Sequence, residues 1–189
     1  GQMGRGELLR VIWWGIGSRL GVLDMQKLLP RLLVQAAGDD ESELRALCDR
    51  WFTQDVLPHL TEKGRERVAE HQAQGHLVAI VSASTQYVVA PLAAHLGFPG
   101  QYVCTHLESK DGRLTGQITP PVCFGWGKVV WAERFAAEHD VDLSRSYFYT
   151  DSISDLPLLE RVGHPVAVNP DPRLQRLAQK RGWPIERFY

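Results

Sequence analysis

From residue 75 onward the chain repeats one pattern, and that pattern limits what it can fold into. "LVAIV" (77–81), "YVCTHLE" (102–108), "SYFYT" (146–150) and "PVAV" (165–168) are short, apolar and rich in β-branched or aromatic residues. Such runs read as buried strands. Helical stretches separate them: "STQYVVAPLAAHLG", "GKVVWAERFAAEH", "SDLPLLERV" and "DPRLQRLAQKRG". Strands alternating with helices predict an α/β sheet with right-handed crossovers. Ser84 or Thr85 is expected to cap the first of these helices, with Gly97 as its stop. Pro91 should kink that helix or mark a restart. "SKDGRLTGQI" carries a Lys-Asp-Gly hairpin turn, and "PIERF" offers a closing strand.

The first third reads differently. Leu8, Leu9, Ile12, Trp13, Ile16 and Leu20 form an apolar helical stripe, and Leu28, Leu29, Leu32, Leu33 and Ala36 continue it up to Gly38. "DDESELRALCDRWFTQDVLPHL" is a third helix, capped by Asp40 or Ser42 and closed near Pro58. No strand signal precedes residue 75. We therefore expect two parts, a helical one over 1–65 and an α/β one over 66–189.

Bulk properties exclude several classes of function. The net charge is −1 and the pI about 6.7, so no basic field favours nucleic acid or an anionic membrane. The apolar stretch from Val11 to Ile16 is far shorter than the roughly 20 residues of a membrane span. No signal peptide is legible. The three cysteines, Cys48, Cys104 and Cys123, lack C-x-x-C spacing. They read as reduced thiols in a cytoplasmic protein.

In open parallel sheets ligands bind beyond the carboxyl ends of the strands. Ser82, Lys128 and Asp151 stand at such places, and Asp155 follows Asp151 by four residues. Two acids there repel unless a positive group lies between them, and Mg²⁺ with one or two carboxylates and retained waters suits the position. The plainer reading has Asp151 capping a helix and Asp155 solvated. Ser82 is either an N-cap or a hydroxyl for a substrate oxyanion, aided by helix-start N–H groups. Lys128 is either a surface lysine or a counter-charge for phosphate.

Taken in order, strand-Ser, helix-Lys and strand-Asp-x-x-x-Asp followed by "VAVNP" resemble the haloacid dehalogenase-like superfamily, in its phosphoserine-phosphatase-like branch. The likeness runs through "VSAST…GK…FYTDSISDLPLLERVGHPVAVNPDPRL…GW" and over essentially the whole chain. It implies a Rossmann-like, doubly wound, mostly parallel sheet with a helical cap of the early-inserted (C1) type. It implies a phosphate site of Ser82, Ala83 and Lys128, with Ser82 and Lys128 in catalysis. It implies Asp151 as metal ligand, Asp155 supporting it, and Mg²⁺ as cofactor. Thr150 and Ser152 stand where the family's Gly-Asp-Gly-x-x-Asp has glycines, and Ser154 where an asparagine is common.

The family's nucleophile motif, Asp-x-Asp-x-Thr after an N-terminal strand, does not occur. Asp24 is followed by Gln26 and Leu28 and lies in the helical region. We expect the sequence to begin inside the cap, with about 20–40 residues of strand and linker upstream, and these residues alone to be inactive. The implied activity is Mg²⁺-dependent hydrolysis of a small phosphorylated metabolite through an aspartyl-phosphate, with neither nucleic acid nor membrane as partner. The alternative is a non-catalytic phospho-ligand or metal-binding pseudoenzyme; a CheY-like module fits the motif order less well. Trp13-Trp14 reads as cap core, His95 and His164 as core or surface residues, and Arg173 and Arg181 as helix-surface charges. Asn169 either makes a turn before Pro170 or orients Asp151.

Overall fold

A computed structural model describes residues 34–189; the stripe from Leu8 to Leu33, Trp13-Trp14 and Asp24 lie outside the described residues. In chain order the elements are α1 (Glu41–Trp51), α2 (Glu62–Ala73), β1 (Ile80–Thr85), α3 (Gln86–His95), β2 (Tyr102–Lys110), β3 (Arg113–Thr119) and α4 (Trp126–Glu138). Then follow β4 (Tyr147–Thr150), α5 (Leu156–Leu159), β5 (His164–Val168), α6 (Pro172–Arg181) and β6 (Ile185–Glu186). This is the mixed α/β architecture expected from the alternation. The chain divides into two compact units, described in turn: residues up to His59 with Ala79–Cys123, and Leu60–Val78 with Phe124–Tyr189.

In the first unit β1 runs parallel to β2, and β2 antiparallel to β3. Asp40 caps α1: its carboxylate accepts the N–H groups of Ser42 and Glu43 at 2.9 and 3.2 Å. Past Trp51 the helix widens into a π-type turn at Phe52–Val56 and tightens at Leu57–His59, where Pro58 lacks the N–H that a continuing helix needs. The β2–β3 turn is the two-residue Asp111-Gly112, both at positive φ, and the Lys110–Arg113 pair flanks it. That geometry matches the right-handed twist of the strands and favours Asp-Gly. The free edge of β3 is covered by the segment before α1, through Gly38 N–H to Leu114 O and Leu114 N–H to Asp39 O, at 2.8 and 2.9 Å. Ala36, Leu44, Cys48, Tyr87, Val88, Leu107 and Leu114 share one core. All three cysteines are buried and none is in a disulfide, and burial pushes the Cys104 thiol up to about 12.

Two expectations shift here. The strand expected at 77–81 pairs only from Ile80, opposite Tyr102, and runs on through Ser82 to Thr85. Ser82 therefore lies within the strand instead of after it. The helix starts at Gln86 with Thr85, one of the two expected caps, at its N-cap position, and it continues across Pro91 without a restart.

In the second unit β4, β5 and β6 are all parallel. The helix expected over 154–162 is a single turn, α5, preceded by a 3-10 turn at Ile153–Asp155. Asp171 caps α6, and Gly182, left-handed at φ 67, closes it. Asn169 makes a left-handed turn at φ 42, and its side-chain oxygen accepts the Phe188 N–H at 3.1 Å. The Arg67–Glu186 ion pair and the Lys63 bond to Arg187 O tie α2 to the end of the chain. Exposed His164 stacks on Tyr147 with ring centroids 4.4 Å apart, and exposed His95 meets Phe52 at 5.7 Å.

Gly163 has no room for a side chain. A Cβ there would sit 1.7 Å from the Ser144 carbonyl oxygen, which is backbone and cannot rotate away. Gly163→Ala should lower stability by at least about 2 kcal/mol through forced strain, measured as a shift in the urea midpoint. His71, hydrogen-bonded to Tyr149 at 2.9 Å, has its pKa lowered, first by burial and then by His76 and Arg67. A lowered folded pKa penalises the charged imidazole, so stability is fully present above the unfolded value of about 6.5 and falls as the pH drops through it toward the folded pKa. His71→Gln should lose less stability than the parent between pH 7.5 and 5.5, read from paired denaturation curves.

Candidate active site

The four residues singled out in the sequence sit in distinct settings. Lys128 stands in the first turn of α4, which opens at Gly125, a left-handed residue at φ 54. It is 7% exposed. Its ammonium lies 2.7 Å from each carboxylate oxygen of Asp155. Asp155 is 4% exposed and also accepts the Thr150 hydroxyl at 2.7 Å and the Ser154 hydroxyl at 3.4 Å. Thr150 in turn accepts the Ser152 N–H at 3.3 Å. The result is a buried ion pair whose carboxylate is saturated with donors, the condition under which such a pair survives its desolvation cost.

Asp151 is exposed where Asp155 is not. Its loop is held from behind by a residue the sequence reading passed over. Asp171 donates its backbone N–H to Asp151 O at 2.8 Å, and one of its carboxylate oxygens accepts the Ile153 N–H at 2.7 Å. The other oxygen caps α6 through Arg173 and Leu174, at 2.8 and 2.9 Å. Burial pushes the Asp171 carboxyl up, but the N–H groups of Leu174, Ile153 and Arg173 outweigh it and hold the group below its ordinary value. The Asp-Pro start of α6 signals a cap; the reach back to Ile153 is tertiary and carries no local signal.

Ser82 belongs to the first unit. Between the Val81–Val103 and Thr85–Thr105 pairs, β1 advances four residues while β2 advances two. Ser82, Ala83 and Ser84 therefore bulge out of the ladder. The Ser82 hydroxyl accepts the Ser84 N–H at 3.1 Å. Beyond the bulge, the Gln86 side chain stands in for a strand residue: it donates to Leu107 O at 2.8 Å and accepts Leu107 N–H at 2.9 Å. Thr85 precedes α3 without a capping bond, and its buried hydroxyl has no partner.

The stretch nearest in spacing to an Asp-x-Asp-x-Thr motif is Asp140-Val-Asp142-Leu-Ser144. It follows a helix, not a strand, and Asp142 is spent accepting the Ser144 N–H and hydroxyl at 2.8 and 2.7 Å. It is no nucleophile site. A hard cation on one carboxylate and waters fits the exposed Asp151 by donor chemistry. Among the described residues no group of three or more His, Cys, Asp or Glu side chains is arranged to hold a metal ion. No helix among them is long and apolar enough to cross a membrane.

The sequence profile described as "HAD: haloacid dehalogenase-like hydrolase" matches residues 4–160. The chain belongs to the haloacid dehalogenase-like hydrolases. Within this family it is similar to two Mycobacterium tuberculosis proteins, one named a probable phosphatase, at 35% identity over 164 residues. The match covers 87% of this chain and 56% of theirs, so the chain spans little more than half the length of those relatives. It is 33% identical to a histidinol-phosphatase of Neisseria meningitidis over 172 residues, 89% of this chain and 77% of that one. A solved Bordetella pertussis protein of unknown function superposes with a TM-score of 0.85 at 34% identity, covering all of this chain and 86% of the other. A substrate-bound phosphoserine phosphatase superposes with a TM-score of 0.68 at 19% identity, covering 97% and 81%, and so shares the fold.

Cutting one member of the buried pair strands the other charge. Lys128→Met and Asp155→Leu should each cost about 3 kcal/mol, whereas the two together should recover most of the loss. Urea denaturation of the three variants measures the coupling.

Proposed function

We propose that the protein to which these residues belong is a Mg²⁺-dependent phosphomonoesterase acting on a small phosphorylated metabolite through an aspartyl-phosphate. The buried, donor-saturated Lys128–Asp155 pair beside exposed Asp151 is the observation that carries this reading. Membership of the hydrolase family and the phosphatase names of its relatives support it.

Each residue has a part. Asp151 is the direct ligand of the cation, presented on a loop that Asp171 holds. Asp155 supports it indirectly, since its oxygens already accept from Lys128 and Thr150. Lys128, fixed by Asp155, offers its remaining N–H directions to the negative charge of the transferring phosphoryl group. Ser82 and the backbone at Ala83 hold phosphoryl oxygens from the bulge. What groups Ser82 with Lys128 and Asp151 is their order along the chain. Bound Mg²⁺ supplies charge neutralisation at the phosphoryl oxygens. The attacking aspartate is not among the 189 residues, which contain no Asp-x-Asp-x-Thr; this favours phosphate binding without turnover as the second reading for these residues alone. Histidinol phosphate and phosphoserine are the substrates suggested by the relatives' names.

The product of the complete gene should hydrolyse p-nitrophenyl phosphate only with Mg²⁺. Asp151→Ala should reduce the rate by at least about 100-fold. Full activity in that variant would remove Asp151 from the metal site, and phosphate binding without hydrolysis in the parent would favour the second reading.

A further inference from the structure

The hydroxyl that shapes the phosphate-binding bulge lies on the neighbouring strand. Thr105 is fully buried, at 0% exposure. Its hydroxyl donates to Ala83 O at 3.1 Å and accepts the Cys123 N–H at 3.1 Å, so both of its functions are in use. Ala83 is the middle residue of the three that leave the β1 ladder, and its carbonyl is therefore released from strand pairing. A buried carbonyl without a partner is costly. Thr105 supplies that partner and so selects the direction in which the bulge turns. With Ala83 O fixed inward, Ser84 N–H folds back onto Ser82 Oγ at 3.1 Å, which sets where the Ser82 hydroxyl points. Two residues on, Leu107 grips Gln86 through two backbone bonds. The strand β2 thus holds the bulge at its middle and the chain just beyond its end. Pro120-Pro121 leads the chain to Cys123, whose N–H completes the Thr105 hydroxyl; the Cys123 thiol reaches Val103 O at 3.7 Å.

We infer that Thr105 is a positioning residue for phosphate recognition: it touches no phosphate itself but fixes the Ser82–Ser84 bulge that would. The inference rests on the proposed role of Ser82. Thr105→Val keeps the shape and removes the hydroxyl; Thr105→Ser keeps the hydroxyl and removes a methyl group. Leu114→Ala, in the core of the same unit, is a control for simple loss of stability. The probe is inorganic phosphate titrated calorimetrically into the full chain with Mg²⁺ present, a readout that does not need turnover.

Thr105→Val should weaken phosphate binding about tenfold, as expected for the loss of a buried hydrogen bond. Thr105→Ser should stay within about twofold of the parent even where its stability falls. Should Thr105→Val fail to fold, Thr105→Ala, which also removes the hydroxyl, carries the same comparison. The inference is overturned if Ser82→Ala weakens binding while Thr105→Val does not. It is equally overturned if Val, Ser and the Leu114 control weaken binding alike. If Ser82→Ala leaves binding unchanged, or the parent binds no phosphate, the proposed role of Ser82 falls and this inference with it.

Discussion

The second unit is organised around one buried ion pair. Lys128 and Asp155 come from the first turn of α4 and from the 3-10 turn after β4. Bringing them together costs the hydration of both charges. The repayment comes from an ammonium within 2.7 Å of both oxygens and a Thr150 hydroxyl on one of them. Three pieces of chain are thereby locked: the start of α4, the last residue of β4 and the turn that follows it. The pair also sorts the two acids of the motif. Asp155 turns inward to its lysine and Asp151 stays exposed, so their charges are not left facing each other unscreened.

The first unit uses a different device for a comparable task. Among the described residues, neutral hydrogen bonds with β2 hold the Ser82–Ser84 bulge and its far end, and no ion pair does. Thr105 takes a carbonyl that has left the ladder, and Gln86 replaces the strand residue that β1 no longer provides. Neutral donors suit the phosphate role proposed for Ser82, because a fixed carboxylate there would repel an anion and a fixed ammonium would pull the bulge toward itself.

How far the sequence reveals this depends on the distance over which each feature is decided. The hairpin turn at Asp111-Gly112, the Asp40 cap and the short β-branched strands are local, and their residues announce them. The start of β1 is not local: Leu77 and Val78 have strand character, but the pairing with β2 begins only at Ile80. The helix after β4 falls short of its apolar pattern because Asp155 must turn inward, and a residue at φ −91, ψ 6 cannot continue a helical ladder from the 3-10 turn before it. Thr105 and Asp171 escape sequence reading altogether. Each looks ordinary in its own segment, a threonine in a strand and an aspartate before a helix, and each acts on a partner about twenty residues away. The order Ser82, Lys128, Asp151, Asp155 is legible because it is a pattern along the chain; the burial of Asp155 against Lys128 is not, because tertiary packing decides it.

That division bears on whether the pair exists for the fold alone. Apolar residues of similar volume often replace a buried ion pair without loss, and sometimes with gain, of stability. A chain selected only to fold has little reason to place a lysine in the first turn of α4, where the helix dipole disfavours a cation, and then to bury an aspartate against it. The arrangement is reasonable if the ammonium itself is required. Asp155 then serves as a counter-charge that keeps Lys128 aimed while leaving N–H directions open to a second anion. A phosphoryl group, with its charge spread over several oxygens, meets that description and is the ligand of the proposed function.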